Sequence, residues 1–308
     1  MKDARDLVPL SPRPELRFED RIAALEGAFS GRIGFHAVRL EDAEELGLRA
    51  DDTFPTASVI KVGLCCAVLD LVARGEAELD ERLQLPPPGR RVAGGGILKQ
   101  LEVDTLTLRD AIELTITLSD NVATNVLLEQ CDAERVNAYL ASLNLSETRI
   151  LGPVDFTRIT HDVCGGIGAS TPREQTALLT ALARDEILDT RLCAYLRAVL
   201  ERQHYQDQIP RWLGWNPYAQ YHGREQALTV GNKTGELDGI RADIGLIRHR
   251  DRGTLAVAIF TDGGQDHRET VDVEGALAVA ECSAAIAARL LGGVTTPRGT
   301  EARRRGPR

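Results

Sequence analysis

The sequence is short of the groups that several functions need. It has no run of about 18 apolar residues, so no segment reads as a membrane-spanning helix. Its six cysteines (65, 66, 131, 164, 193 and 282) include no C-x-x-C pair, and its histidines include no H-x-x-x-H pair. Zinc binding and thioredoxin-like redox chemistry are therefore not expected, and no metal or cofactor is read from the chain. A basic stripe interleaved with aromatics is missing and the formal charge is −9, which argues against a nucleic-acid partner. No G-x-S-x-G occurs around a serine, which sets aside an α/β-hydrolase. The first twenty residues lack the apolar core of a secretory signal. The expectation is a cytoplasmic protein as given, or a periplasmic or secreted one if a signal was removed. An even cysteine count permits disulfides, but Cys65 and Cys66 lie in an apolar helical run, where cysteine acts as a small hydrophobe, and reduced thiols are the reading.

What is present fits a soluble globular protein of 308 residues, 43% apolar and 27% charged, long enough for one large domain or two lobes. Residues 17–29 show helical spacing and "RIGFHAVRL" reads as a strand; the polar "EDAEELGLRADD" reads as a connection. From 58 to about 189 the signal is helical, with Pro172 at a first helical position. "ALTVGNKTG", "GIRADIGLIRH" and "TLAVAIFTD" are β-branched runs parted by "LDG" and "DRG", as in antiparallel hairpins. A long apolar helix follows to residue 291.

The fold class expected is α+β: an antiparallel sheet flanked by N- and C-terminal helices, with an inserted all-α lobe. Residues 18–56 and 206–291 would form the α/β lobe and 57–205 the helical one, between an extension at 1–17 and a disordered basic tail at 292–308. A cleft between the lobes is the natural place for a site. The aromatic-rich "RQHYQDQIPRWLGWNPYAQYHGREQ" reads as packing, or as a lid or seam.

Three short motifs stand in order along this frame: Ser58-Val59-Ile60-Lys61, Ser119-Asp120-Asn121 and Lys233-Thr234-Gly235. Each has a bland reading: a helix-start serine with a snorkelling lysine, a capping segment, a hairpin edge. Their chemistry is coherent when combined. A serine hydroxyl needs a base, and Lys61 three residues on shares its face at about 5–6 Å. Burial and a second cation at Lys233 would lower the Lys61 pKa. Ser119 would relay a proton to the leaving nitrogen, and Lys233 with Thr234 would hold a substrate carboxylate. Backbone N–H groups of Ser58 and Glu236 would form an oxyanion hole, and Asn121 would orient a substrate amide.

The trio is the signature of class A β-lactamases and penicillin-binding proteins, and the chain resembles class A β-lactamase-like serine hydrolases over residues 18–291. "GGGILKQL" and "GIRADIGLI" are similar to stretches of the same family. The resemblance implies the β-lactamase/transpeptidase-like fold, an acyl-enzyme on Ser58, and a small-molecule β-lactam or related ester or amide as partner to a monomer. It implies Gly235 at the substrate-binding strand. Arg241 lies near a carboxylate-binding arginine of some members, or is an exposed strand charge.

Two departures bear on function. The family carries a glutamate in the loop before the Thr-Pro helix start that activates the deacylating water; here residues 149–170 hold no glutamate. Counting back from Pro172 reaches Asp155, one methylene shorter, which takes that role or merely caps the loop; His161 and Asp162 are further substitutes. Glu236 follows Lys-Thr-Gly where a small residue is usual, and would disfavour anionic substrates. An esterase or peptidase of the same fold, and a penicillin-binding protein that acylates with little turnover, are the competing readings.

Overall fold

Helix α1 (Phe18–Ala28) is followed by strands β1 (Arg32–Arg39), β2 (Glu45–Leu48) and β3 (Phe54–Pro55). A 3₁₀ turn at Ala57–Ile60 opens α2 (Lys61–Ala73), and short strands β4 (Arg82–Gln84) and β5 (Thr105–Thr107) pair beyond it. Then come α3 (Leu108–Thr117), α4 (Asn121–Gln130), α5 (Ala133–Ser142), β6 (Arg149–Ile150) and β7 (Gly168–Ser170). Helices α6 (Pro172–Ala183) and α7 (Thr190–Glu201) precede β8 (Leu228–Leu237), β9 (Ile240–His249), β10 (Gly253–Asp262) and α8 (Glu274–Leu291). This computed structural model describes residues 13–156, 167–223 and 225–292.

Helix starts follow the local chemistry of the sequence. Thr107 and Asp110 form a reciprocal capping box on α3, Asp132 caps α5, and Asp189 caps α7. Thr171 caps α6 with Pro172 at its first position, where a missing N–H costs nothing.

The sheet is antiparallel in the order β2-β1-β10-β9-β8, so β8 is an edge strand. Period-2 alternation gives it two apolar faces. Ala242, Ile244, Ala258 and Phe260 join the core of the helical middle, with Val59, Leu64 and Ile112. Ile247, Val257 and Ile259 face the opposite way and pack with Leu25, Ala278 and Ile286 of α1 and α8. Helix α6 lies on β1 and β10, so one apolar core joins the helical middle to the inner sheet face. The architecture is the α+β arrangement expected, with helices on both faces of an antiparallel sheet.

Helix α2 is buried all round rather than along one stripe, and Val62, Leu64, Cys65, Cys66, Val68 and Leu69 are inaccessible. Each such side chain contributes about 1.5–3 kcal/mol by leaving water. Cys65, Cys66, Cys131, Cys193 and Cys282 are free and buried; burial pushes the Cys65 thiol up to about 12. Cys164 lies outside the described residues.

The structure corrects the reading of "EDAEELGLRADD" as connection only, because Glu45–Leu48 pairs with β1 as the other edge of the sheet. Its side chains alternate between exposed and half-buried, and such a polar edge lacks the apolar signal that marks a central strand. In the aromatic-rich segment, Trp212 and Trp215 pack on the outer core, whereas Tyr218 and Tyr221 are exposed. No described helix is long and apolar enough to cross a membrane, and no group of three His, Cys, Asp or Glu among the described residues is placed to hold a metal.

Candidate active site

Ser58 sits in the 3₁₀ turn and Lys61 is the first residue of α2, so the pair spans one tight turn in which residues three apart eclipse. Ala57 before it has a left-handed φ of 43°, a conformation that costs about 1–3 kcal/mol outside glycine. The turn is held against β8 at Gly235. A Cβ there would stand 2.6 Å from the Thr56 carbonyl oxygen and 3.0 Å from the Ser58 nitrogen, so only glycine permits this approach.

Lys61 is fully buried, and its Nζ lies 2.8 Å from the Ser119 carbonyl oxygen, 3.2 Å from Ser119 Oγ and 2.8 Å from Asn121 Oδ1. Two of these partners only accept; Asn121 is oriented by its Nδ2, which donates to the Ala93 carbonyl at 3.2 Å. The third is a hydroxyl, able to donate. Three acceptors satisfy the three N–H groups of an ammonium, and a neutral amine fits the same set if the hydroxyl turns to donate to its lone pair. Burial, then the Lys233 charge, favours the neutral form by driving the Lys61 pKa well below its ordinary value. Asn121 thus holds the lysine and the glycine loop together, whatever it offers a substrate.

Asp120, which motif reading left without a role, is the clamp of this corner. Its Oδ1 accepts the Val122 and Ala123 N–H groups as the cap of α4. Its Oδ2 accepts the Ile97 and Leu98 N–H groups at 2.6 and 2.8 Å, tying the "GGGILK" loop to α4. Gly96 has φ +97°, and a Cβ there would meet Asp120 Oδ2 at 2.2 Å. Ser119 is held at a left-handed φ of 52°, which turns its carbonyl and hydroxyl onto Lys61.

The opposite wall is the free edge of β8. Arg241 and Thr261 face each other across β9 and β10, and both the N–H and C=O of Arg241 bond the Thr261 hydroxyl. Arg241 therefore points its backbone away from its other neighbour, Glu236, and in such an antiparallel pair Glu236 points its own N–H outward. The same phase holds two and four residues back. The Thr234 carbonyl accepts from Lys233 Nζ at 2.7 Å, and the Asn232 carbonyl from Gln203 Nε2 at 3.2 Å. Lys233 is fully buried, and desolvation lowers its pKa to about 8 despite the opposing pull of Asp243 and Glu236. Thr234 is buried beside it. Behind the strand, Asn232 Nδ2 donates to both oxygens of Asp243, which also accepts the Ile209 N–H at 2.9 Å.

Arg241 is buried, not the exposed charge that strand alternation allowed, and its Nη1 donates to the carbonyls of Leu237 and Ile240 at the hairpin end. Glu236 lies across from it. Asp155 is half-buried in a segment pinned to α4 by Asn125, which bonds the Val154 N–H and C=O. The next residue, Phe156, lies against Gly94 close to Asn121, which brings this segment to the same corner. His161 and Asp162 lie outside the described residues. The structure thus brings Ser58, Lys61, Ser119, Asn121, Lys233, Thr234 and Gly235 together where the 3₁₀ turn, the Ser119–Asn121 corner and β8 meet. Asp120, Gln203 and Asp243 complete this junction from positions whose only sequence signal was a capping aspartate, a polar residue ending a helix and a lone charge in a β-branched run.

Comparison with known proteins bears on the family and the fold. The profile of the Beta-lactamase enzyme family matches residues 17–290. Beta-lactamase SME-1 of Serratia marcescens is 26% identical over 248 residues, covering 78% of this chain and 79% of its own length. The crystal structure of a beta-lactamase from Sphaerobacter thermophilus superposes with a TM-score of 0.77 at 28% identity, covering 89% of this chain and 96% of that one. PBP-A, in a variant crystallised as an acyl-enzyme complex with penicillin G, shares the fold with a TM-score of 0.74 at 22% identity, covering 91% and 97%. The chain belongs to the β-lactamase enzyme family.

Proposed function

We propose that this protein is a serine hydrolase that opens β-lactam amide bonds through an acyl-enzyme on Ser58. The observation that carries the reading is the fully buried Lys61, one turn from Ser58 and bonded to both Ser119 and Asn121. Lys61 takes the Ser58 hydroxyl proton as Oγ bonds to the lactam carbonyl carbon. Charge developing on the carbonyl oxygen meets the N–H groups of Ser58 and Glu236. The C–N bond breaks, and Ser119 passes the proton from Lys61 to the leaving nitrogen. Lys233 and Thr234 hold the substrate carboxylate, with Arg241 adding positive potential nearby. A water then attacks the ester carbonyl and regenerates Ser58, with Asp155 taking its proton.

Intact-protein mass spectrometry with a chromogenic β-lactam tests this. A Ser58 adduct that forms, decays and is absent in Ser58→Ala is expected, together with sustained turnover. Absence of both adduct and turnover refutes it. One observation favours a second reading, acylation with little turnover: residues 149–156 and 167–170 place no glutamate before α6. A burst of one product per protein with no steady state would select it.

A further inference from the structure

Helix α3 ends in a way that leaves its last carbonyls to be met by another part of the chain. The Leu114 carbonyl accepts both the Leu118 N–H at 3.2 Å and the Asp120 N–H at 3.0 Å, and Ser119 between them holds a left-handed φ of 52°. Such a closure turns the following carbonyls out of the helix. Each of them finds a donor, in sequence order. Ile116 accepts from Gln203 Nε2 at 2.9 Å, Thr117 from the His204 N–H at 3.2 Å, and Leu118 from the Tyr205 hydroxyl at 3.3 Å. Ser119, the fourth, accepts from Lys61 Nζ. Three consecutive residues thus cap α3 from 87 residues along the chain.

Gln203 reaches further than the cap. It is buried, and its Nε2 also donates to the Asn232 carbonyl at 3.2 Å, one residue before Lys233. Its Oε1 accepts the Tyr205 N–H at 3.1 Å, which fixes the orientation of the amide. Helix α7 carries it there: a Cβ on Gly231 of β8 would stand 3.1 Å from the nitrogen of Glu201, the last residue of α7. One side chain therefore joins the end of α3, three residues before Ser119, to the strand that presents Lys233.

We propose that Gln203, with Tyr205, is a positioning residue that sets Ser119 against Lys233 and so aligns proton delivery to the leaving nitrogen. The proposal rests on the acyl-enzyme reading of Ser58. In lactam opening the bond from Ser58 Oγ to the carbonyl carbon forms and the C–N bond breaks. The nitrogen then takes, through Ser119, the proton that Lys61 removed from Ser58. An activated ester needs no such delivery: its C–O bond breaks and a nitrophenolate leaves with the electron pair, the proton staying on Lys61. Misplacing Ser119 should slow the first reaction and spare the second.

The test compares acylation by a chromogenic cephalosporin that bears a carboxylate with acylation by an uncharged nitrophenyl ester, thermal melting confirming that each variant folds. Gln203→Met keeps the volume and removes the donor. It should lower the limiting cephalosporin acylation rate by about 10–10²-fold, the scale of a misplaced catalytic group, and raise the half-saturating concentration as β8 shifts. The ester rate should stay close to that of the natural protein. Tyr205→Phe removes a donor on the Ser119 side alone, so it should lower the cephalosporin rate by a smaller factor at unchanged half-saturation; it carries the test if Gln203→Met does not fold. In a Ser119→Ala background neither substitution should slow the reaction further, because both act through a relay already removed. If the ester does not label the natural protein, that comparison decides alone. Equal slowing of both reporters, no slowing of the cephalosporin, or a full additive loss beside Ser119→Ala overturns the positioning role and leaves Ser58 in place. Failure of the cephalosporin to acylate the folded natural protein overturns the Ser58 reading, and the positioning role with it.

Discussion

The corner that would acylate and the loop that would deacylate are built to different standards. Around Lys61, four separate chain segments converge: the 3₁₀ turn with α2, the glycine loop, the Ser119–Asn121 corner and the edge of β8. Asp120 alone accepts four backbone N–H groups there. The segment around Val154 is pinned through Asn125 and carries Asp155, the carboxylate proposed to activate the water. Nucleophile activation is thus set by secondary structure and caps, whereas the water activation proposed for Asp155 rests on one side chain in the segment that Asn125 pins. The comparison teaches that acylation and turnover can part company in this fold without any change in the buried lysine.

Four experiments would break or sharpen that contrast. Ser58→Ala removes the acylated oxygen, so the adduct should vanish and turnover fall by about 10⁴-fold or more, as for other serine nucleophiles; residual labelling elsewhere would contradict it. Asp155→Asn should slow deacylation by about 10²–10⁴-fold, as loss of a general base does, and leave the acylation burst in place. Equal deacylation rates would remove Asp155 from the mechanism. Gly96→Ala puts a side chain into Asp120 at a left-handed φ and should destabilise by at least about 1–3 kcal/mol, read as a lower melting temperature and slower acylation together. An unchanged melting temperature would mean the clamp is not rigid.

The smallest effect is in pH dependence. Lys233 has its pKa lowered to about 8, so its ammonium is present below that pH and lost above it. The kcat/KM for a carboxylate-bearing substrate should fall several-fold as pH rises through about 8, one protonation governing one contact. An uncharged ester should lack that limb. A shared limb would place the titration elsewhere.

Much of the fold was legible because its signals are local. Period-2 runs gave β8 to β10, and Thr171 with Pro172 gave the start of α6. The i, i+3 spacing of Ser58 and Lys61 needs only one turn to become a contact. What stayed hidden depends on distant partners. The Lys61 bonds to Ser119 and Asn121 bridge about sixty residues, and Gln203 reaches both Ile116 and Asn232 across the fold. Nothing local marks Asp243, whose partners Asn232 and Ile209 lie 11 and 34 residues away; burial pushes its carboxyl up to about 8. Strand β2 carries no such local signal, since a half-exposed edge needs few apolar residues.

The most direct test of the central claim is the single-turnover acylation rate of Lys61→Met against the natural protein, with the adduct mapped to Ser58. A buried neutral amine acting as base predicts that the rate falls by about 10²–10⁴-fold while the β8 edge still binds the substrate. Equal acylation rates in the folded variant would show that Lys61 is not the base, and the account built on its burial would fail.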